Sequence, residues 1–161
     1  MTDSKKLQTR CLILACGNTL REDDGVGPWL TAWAEQRFAA EPGVCVLARQ
    51  QWTPELAQDV AEADSAVFID CAVDAVPGEV TIAPVGPAAV ESGLATHHVG
   101  AAELLSLSKE LYGKLPRASL LLTIGAGSLE LREGFSEAVQ AALPAACAQL
   151  EITVLRILGF E

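Results

Sequence analysis

The sequence predicts an α/β fold: a three-layer α-β-α sandwich around a mostly parallel, twisted sheet of about five strands. Three observations carry this. Short runs that are almost wholly apolar, as at residues 12–15 and 65–69, suit strands covered on both faces rather than strands with one wet side. Longer segments of helical composition alternate with those runs. Glycine turns follow the apolar runs at Gly17 and at Gly125-Ala126-Gly127. With 161 residues, half of them hydrophobic, the chain is expected to form one domain over 1–161 with a polar tail at 1–9.

The elements follow in order. Residues 12–15 read as the first strand, and 26–38 as a helix with Trp29 and Trp33 four apart on one packing face. Residues 44–48 form a short second strand. Thr53-Pro54-Glu55 looks like a helix start, with Thr53 as N-cap and Pro54 at the first helical position, running to about Glu62. Residues 65–71 are a third buried strand with Asp70 near its carboxyl end. Pro77-Gly78 is a turn, and 79–83 a β-branched strand. Residues 84–96 lack periodicity and read as a loop with a composition that permits movement. A helix is expected over 99–111, a strand over 119–124, and a C-terminal helix over 136–158 that Pro144 either kinks or divides.

Composition excludes some functions. Eleven basic residues against 21 acidic ones give a net charge of −10, which repels nucleic acid and anionic membrane. No segment reads as a bilayer span, and the N-terminus is polar rather than signal-like. The five scattered cysteines show no C-x-x-C pair, so they read as reduced, buried thiols of a cytosolic protein. The phosphate-binding, nucleophile-elbow and H-E-x-x-H motifs are absent.

What remains is a small titratable set. The run Gly17-Asn18-Thr19-Leu20-Arg21-Glu22-Asp23-Asp24-Gly25-Val26-Gly27 joins the first strand to the first helix. Three consecutive acids make it a poor phosphate cradle and a good place for a cation or a working carboxylate. The acids also suit a helix N-terminus, where they complement the dipole. Asp70 ends an otherwise apolar strand, where it either caps the next turn or does chemistry. Both histidines fall in Thr96-His97-His98-Val99-Gly100, where a loop meets a helix. Strand ends in a parallel sheet share one edge, so Asp24, Asp70 and one imidazole can converge there. Two carboxylates and an imidazole make an N/O site suited to Zn²⁺ or Ni²⁺, or a pair sharing a proton for acid–base work on water.

The run Gly17-Asn18-x-Leu20-x-x-Asp23-Asp24-Gly25-x-Gly27 resembles the signature of the hydrogenase maturation proteases. The resemblance extends along nearly the whole chain, through Phe68-Ile69-Asp70-Cys71-Ala72, the H-x-x-G pattern His97-His98-Val99-Gly100, and residues 129–136 before the last helix. Two departures stand out. Ala15 replaces a glycine that is common in the family. The stretch 49–56 lacks Asp-Gly-Gly-Thr and looks like the branch with Gln-x-x-Pro-Glu-Leu, here Gln51 to Leu56.

The resemblance implies an endopeptidase that trims the C-terminal extension of a nickel-loaded nickel–iron hydrogenase large-subunit precursor. It implies Asp24, Asp70 and His97 as metal contacts, with Asp24 and Asp70 also catalytic. Asn18, Gly25 and His98 are candidates for orienting substrate, and Glu22 and Asp23 for support and surface charge. Nickel would arrive with the precursor, and zinc or cadmium could occupy the site in vitro. Two alternatives stay open: a non-enzymatic nickel-sensing assembly factor using the same ligands, and a nucleotide- or sugar-binding domain using its acids for Mg²⁺.

Overall fold

The computed structural model describes residues 8–88 and 99–160. Strands β1 (Cys11–Cys16), β2 (Val44–Arg49), β3 (Ser65–Ala72), β4 (Val80–Pro84) and β5 (Ala118–Gly125) form one sheet in the order β2-β1-β3-β5-β4. The first four strands in that order run parallel, while β4 lies antiparallel along β5 at the edge. Helices α1 (Val26–Arg37), α2 (Ala57–Glu62), α3 (Ala101–Tyr112) and α4 (Glu137–Leu158) cover the faces. This is the expected α/β class.

Strand alternation assigns the two faces. Odd-numbered Ile13, Ala15, Val67, Ile69 and Cys71 pack with Leu30 and Ala34 of α1 and with Val139, Leu143, Leu150 and Val154 of α4. Even-numbered Leu12, Leu14, Ala66 and Phe68 pack with Leu56 and Val60 and with Leu104 and Leu105 of α3. Each fully buried aliphatic side chain contributes roughly 1.5–3 kcal/mol, so both layers hold the sheet.

The order also fixes where a site can form. The chain leaves β1 toward β2 on one side, and β3 lies on the other, with Ala15 beside Ile69. The carboxyl ends of β1 and β3 therefore splay around a crevice at the point where the strand order reverses.

Several local expectations need correcting. Thr53 does stand at the N-cap with Pro54 next to it, but its side chain makes no capping bond, and Pro54–Leu56 is a 3₁₀ turn leading into a shorter α2. The segment expected to loop from residue 84 begins as the last residue of β4, and residues 89–96 of it lie outside the described residues. Helix α3 starts at Ala101 rather than 99, with Gly100 at its cap.

Helix α4 continues through Pro144 and through the β-branched residues Ile152, Thr153 and Val154, so Pro144 opens no second helix. By length and composition α4 is apolar enough to cross a membrane, contrary to expectation. In the fold its face bearing Val139, Leu143, Ala146, Leu150 and Val154 is buried in the core, the spacing of an amphipathic core helix.

Candidate active site at the β1–β3 crevice

The acidic turn is built around one close approach. Gly17 leaves β1 at φ +152°, and a Cβ there would lie 1.8 Å from the Asp24 carbonyl oxygen, so only glycine fits. The Asn18 carbonyl accepts from Arg21 N–H, and its side-chain Oδ1 accepts from Leu20 N–H at 2.9 Å. Residues Glu22–Gly25 then form a 3₁₀ turn that runs straight into α1. Asp24 Oδ2 accepts from Asn18 N–H at 2.7 Å, tying the two ends of the turn together.

The three acids part company. Asp23 is fully buried and points away from the crevice. Its Oδ2 accepts from Gly127 N–H, Ser128 N–H and the Ser136 hydroxyl at 2.7–2.8 Å, and its Oδ1 from Ser136 N–H at 2.7 Å. Burial opposes ionisation, but the bonds from Ser136, Ser128 and Gly127 win and hold the carboxyl below its ordinary range. Glu22, at φ +44°, is also buried and pairs with the Arg132 guanidinium. The Ser128 hydroxyl and Arg132 lower its proton affinity against the cost of burial. These two acids are support, as expected, but neither is surface charge. They clasp the turn to the segment before α4, a role that spacing along the chain does not reveal.

Asp24 and Asp70 line one cavity of about 420 Å³. Asp70 shares strand parity with Cys16, which brings both to the α2–α3 face of the sheet. Asp70 Oδ1 accepts from the Cys16 thiol at 3.4 Å and from Cys71 N–H at 2.8 Å. Burial pushes the Asp70 carboxyl above its ordinary range; the Cys16 and Cys71 bonds pull it back, and the Asp24 charge adds to the rise. Burial and the Asp70 and Asp24 charges drive the Cys16 thiol far up, so Cys16 is a neutral donor and not a thiolate nucleophile. Cys71 faces the α1–α4 core instead, as strand alternation predicts.

The cavity walls also include Asn18, Arg21, Trp52, Val99, Gly100 and Glu103. Glu103 sits at the first turn of α3, and its Oε2 accepts from Gly100 N–H at 3.1 Å. Sequence reading places Cys16 at the border of the site, as found, but missed Arg21, Trp52 and Glu103. Only Glu103 carried a signal, lying three residues after a cap position. Gly25 does not line this cavity; a Cβ there would meet Thr19 at 3.0 Å, so Gly25 shapes the turn from behind. A wider cleft of about 650 Å³ opens at the opposite end of the strands, where Glu62 and Asp64 line it together with Lys114 and Arg117.

No family model matches the chain. Hydrogenase 2 maturation protease of Escherichia coli strain K12 is 29% identical over 156 residues, spanning 94% of each chain. The solved structure of the hydrogenase maturating endopeptidase HybD from E. coli superposes with a TM-score of 0.75 at 25% identity, over 93% of this chain and 94% of that one. The [NiFe] hydrogenase maturation protease HybD from Thermococcus kodakarensis gives 0.63 at 29% identity, over 89% and 98%. In sequence and in fold, the chain is similar to hydrogenase maturation proteases along nearly its whole length.

The protease-family signature expected at residues 17–27 thus coincides with the turn that presents Asp24. Asp70, from the next strand, joins it. His97 and His98 lie outside the described residues, but the chain just after them, at Val99 and Gly100, forms part of the same cavity wall. Among the described residues, no three His, Cys, Asp or Glu side chains gather as a metal-ligand set. The Asp24–Asp70 pair nonetheless has the chemistry that favours a cation: two oxygen donors that raise the cost of each other's charge until a positive ion or a proton is shared.

Proposed function

We propose that this chain is a cytosolic endopeptidase that removes the C-terminal extension of a nickel-loaded nickel–iron hydrogenase large-subunit precursor. One observation carries the reading: two carboxylates from different strand ends, Asp24 and Asp70, share a cavity at the strand-order reversal of a sheet otherwise like that of maturation endopeptidases. The nickel belongs to the substrate. Asp24, Asp70 and His97 would contact it, and the contact would hold the adjoining peptide bond over the carboxylates.

Hydrolysis then needs a water and two proton transfers. The water oxygen adds to the scissile carbonyl carbon, and its proton passes to a carboxylate. The carbon–nitrogen bond breaks as the departing amine nitrogen receives a proton. Asp70, whose proton affinity burial raises, suits the donor role, and Asp24 is the second carboxylate of the cavity beside which the water would stand. Asn18 holds Asp24 through its backbone N–H and so fixes which carboxylate oxygen faces the cavity. This support for Asp24 and Asp70 as the working pair comes from their shared cavity and from the raised proton affinity of Asp70.

The test is a purified precursor, loaded with nickel or free of it, mixed with the protein and read by mass spectrometry. Loss of a C-terminal peptide from the nickel-loaded form alone is the expected result. Tight binding with an intact C-terminus would identify an assembly factor instead. Equal processing of both forms would remove the metal from recognition.

A further inference from the structure

Trp52 is the cavity residue that the proposed chemistry leaves unused. It lies in Gln51-Trp52-Thr53-Pro54-Glu55-Leu56, the stretch between β2 and α2 where this chain departs from the Asp-Gly-Gly-Thr of some family members. Its ring is 4% exposed and meets Phe68 edge-on at 5.5 Å between centroids, which anchors the indole beneath the β1–β3 crevice. Trp52 lines the cavity that holds Asp24 and Asp70. Yet its Nε1–H, the only polar group of the side chain, finds no hydrogen-bond partner among the described residues.

A buried donor without an acceptor is costly and uncommon in a native fold, and phenylalanine at this position would keep the ring contact without that cost. Indole nitrogen is a donor only, so whatever satisfies it must bring an acceptor. The carboxylates that line the cavity already serve Asn18, Cys16, Cys71 and Gly100, and the amide groups of Asn18, Gln50 and Gln51 line it as well. A charged ligand is not required; a neutral oxygen suffices. A polypeptide drawn across the cavity supplies such an oxygen at every residue.

We infer that Trp52 is a substrate-positioning residue whose indole N–H donates to a main-chain carbonyl oxygen of the precursor beside the scissile bond. The inference rests on the endopeptidase reading and adds a specific contact to it. The bond forms only when substrate arrives, so the strain of the unpartnered donor in the free protein is relieved on binding. That gives Trp52 a part in substrate affinity and alignment but none in proton transfer.

The experiment compares wild type with Trp52→Phe on nickel-loaded precursor. The expected result is a roughly tenfold fall in kcat/KM, the size of one lost hydrogen bond, with a thermal midpoint as high as wild type within a few degrees. A purely structural role would lower the midpoint together with activity. A kcat/KM within twofold of wild type in a folded Trp52→Phe protein would overturn the inference while leaving the endopeptidase reading intact.

A second measurement keeps the two apart. In protein carrying ¹⁵N-labelled tryptophan, the indole N–H signal missing from Trp52→Phe belongs to Trp52. That signal should move on addition of precursor, as the N–H gains an acceptor. If wild type binds precursor without cleaving it, the proteolytic reading fails and this signal still decides the contact: a shift supports it, and an unmoved signal overturns it.

Discussion

Replacing Asp23 with asparagine should cost this protein about 3 kcal/mol of stability. The carboxylate is fully buried and accepts four hydrogen bonds, three at Oδ2 and one at Oδ1. Asparagine can set its oxygen where Oδ2 stood and keep three donors, but as a neutral acceptor. Its NH₂ group then faces the Ser136 N–H, donor against donor. One buried donor left without a partner costs about 1–3 kcal/mol, and the lost charge weakens the remaining three bonds. For a chain of this length the thermal midpoint should fall by about 6–12 °C.

The pH dependence has a definite sign. The Asp23 carboxyl is held below its ordinary range in the folded state, so its contribution is complete above the unfolded value of about 4 and is lost as pH falls through the folded value. The gap between wild type and D23N should therefore be full at pH 7 and should narrow in acid. Thermal unfolding followed by circular dichroism at pH 7 and at about pH 2 measures both. A midpoint within about 2 °C of wild type at pH 7 would refute the claim that Asp23 clasps the turn.

Three further outcomes follow from the same site. Asp70→Asn should abolish processing yet stabilise the fold at pH 7, because the folded state raises the Asp70 carboxyl and so disfavours its charge; that gain should vanish as pH falls below the unfolded value, and a destabilised D70N at pH 7 in urea titrations would contradict it. Gly17→Ala should cost more than about 3 kcal/mol, because its Cβ would lie 1.8 Å from the Asp24 carbonyl oxygen; an unchanged melting midpoint would mean the turn is not closed as described. Under the proposed function His97→Ala should end precursor cleavage while His98→Ala retains it, and the reverse pattern in the mass-spectrometric assay would shift the metal contact by one residue.

Much of the architecture could be read from residue order alone, because strands covered on both faces must be apolar throughout and helices must show one apolar side. The runs around Leu12–Leu14 and Ala66–Ile69 announced themselves for that reason, and so did the carboxylate at the end of the latter. Local details were less readable. Thr53 takes the cap position and the extended backbone its pattern suggests, yet its side chain makes no capping bond and the turn it opens is 3₁₀. Pro144 suggested a break, yet the core face of α4 outweighs one missing hydrogen bond.

The site divides in the same way. Sequence by itself singled out an acidic glycine turn, a strand-end aspartate and a histidine pair as the candidate groups for chemistry, because these residue types stand out against apolar surroundings. Only the tertiary structure decided which acid does what. Asp23 and Glu22 turn inward to bind residues more than a hundred positions away, and Asp24 turns to the cavity with Asp70. Trp52 joined them unannounced, and Cys16 rather than Cys71 faces the site, because strand parity and sheet order, not neighbourhood along the chain, set which side chains meet at the crevice.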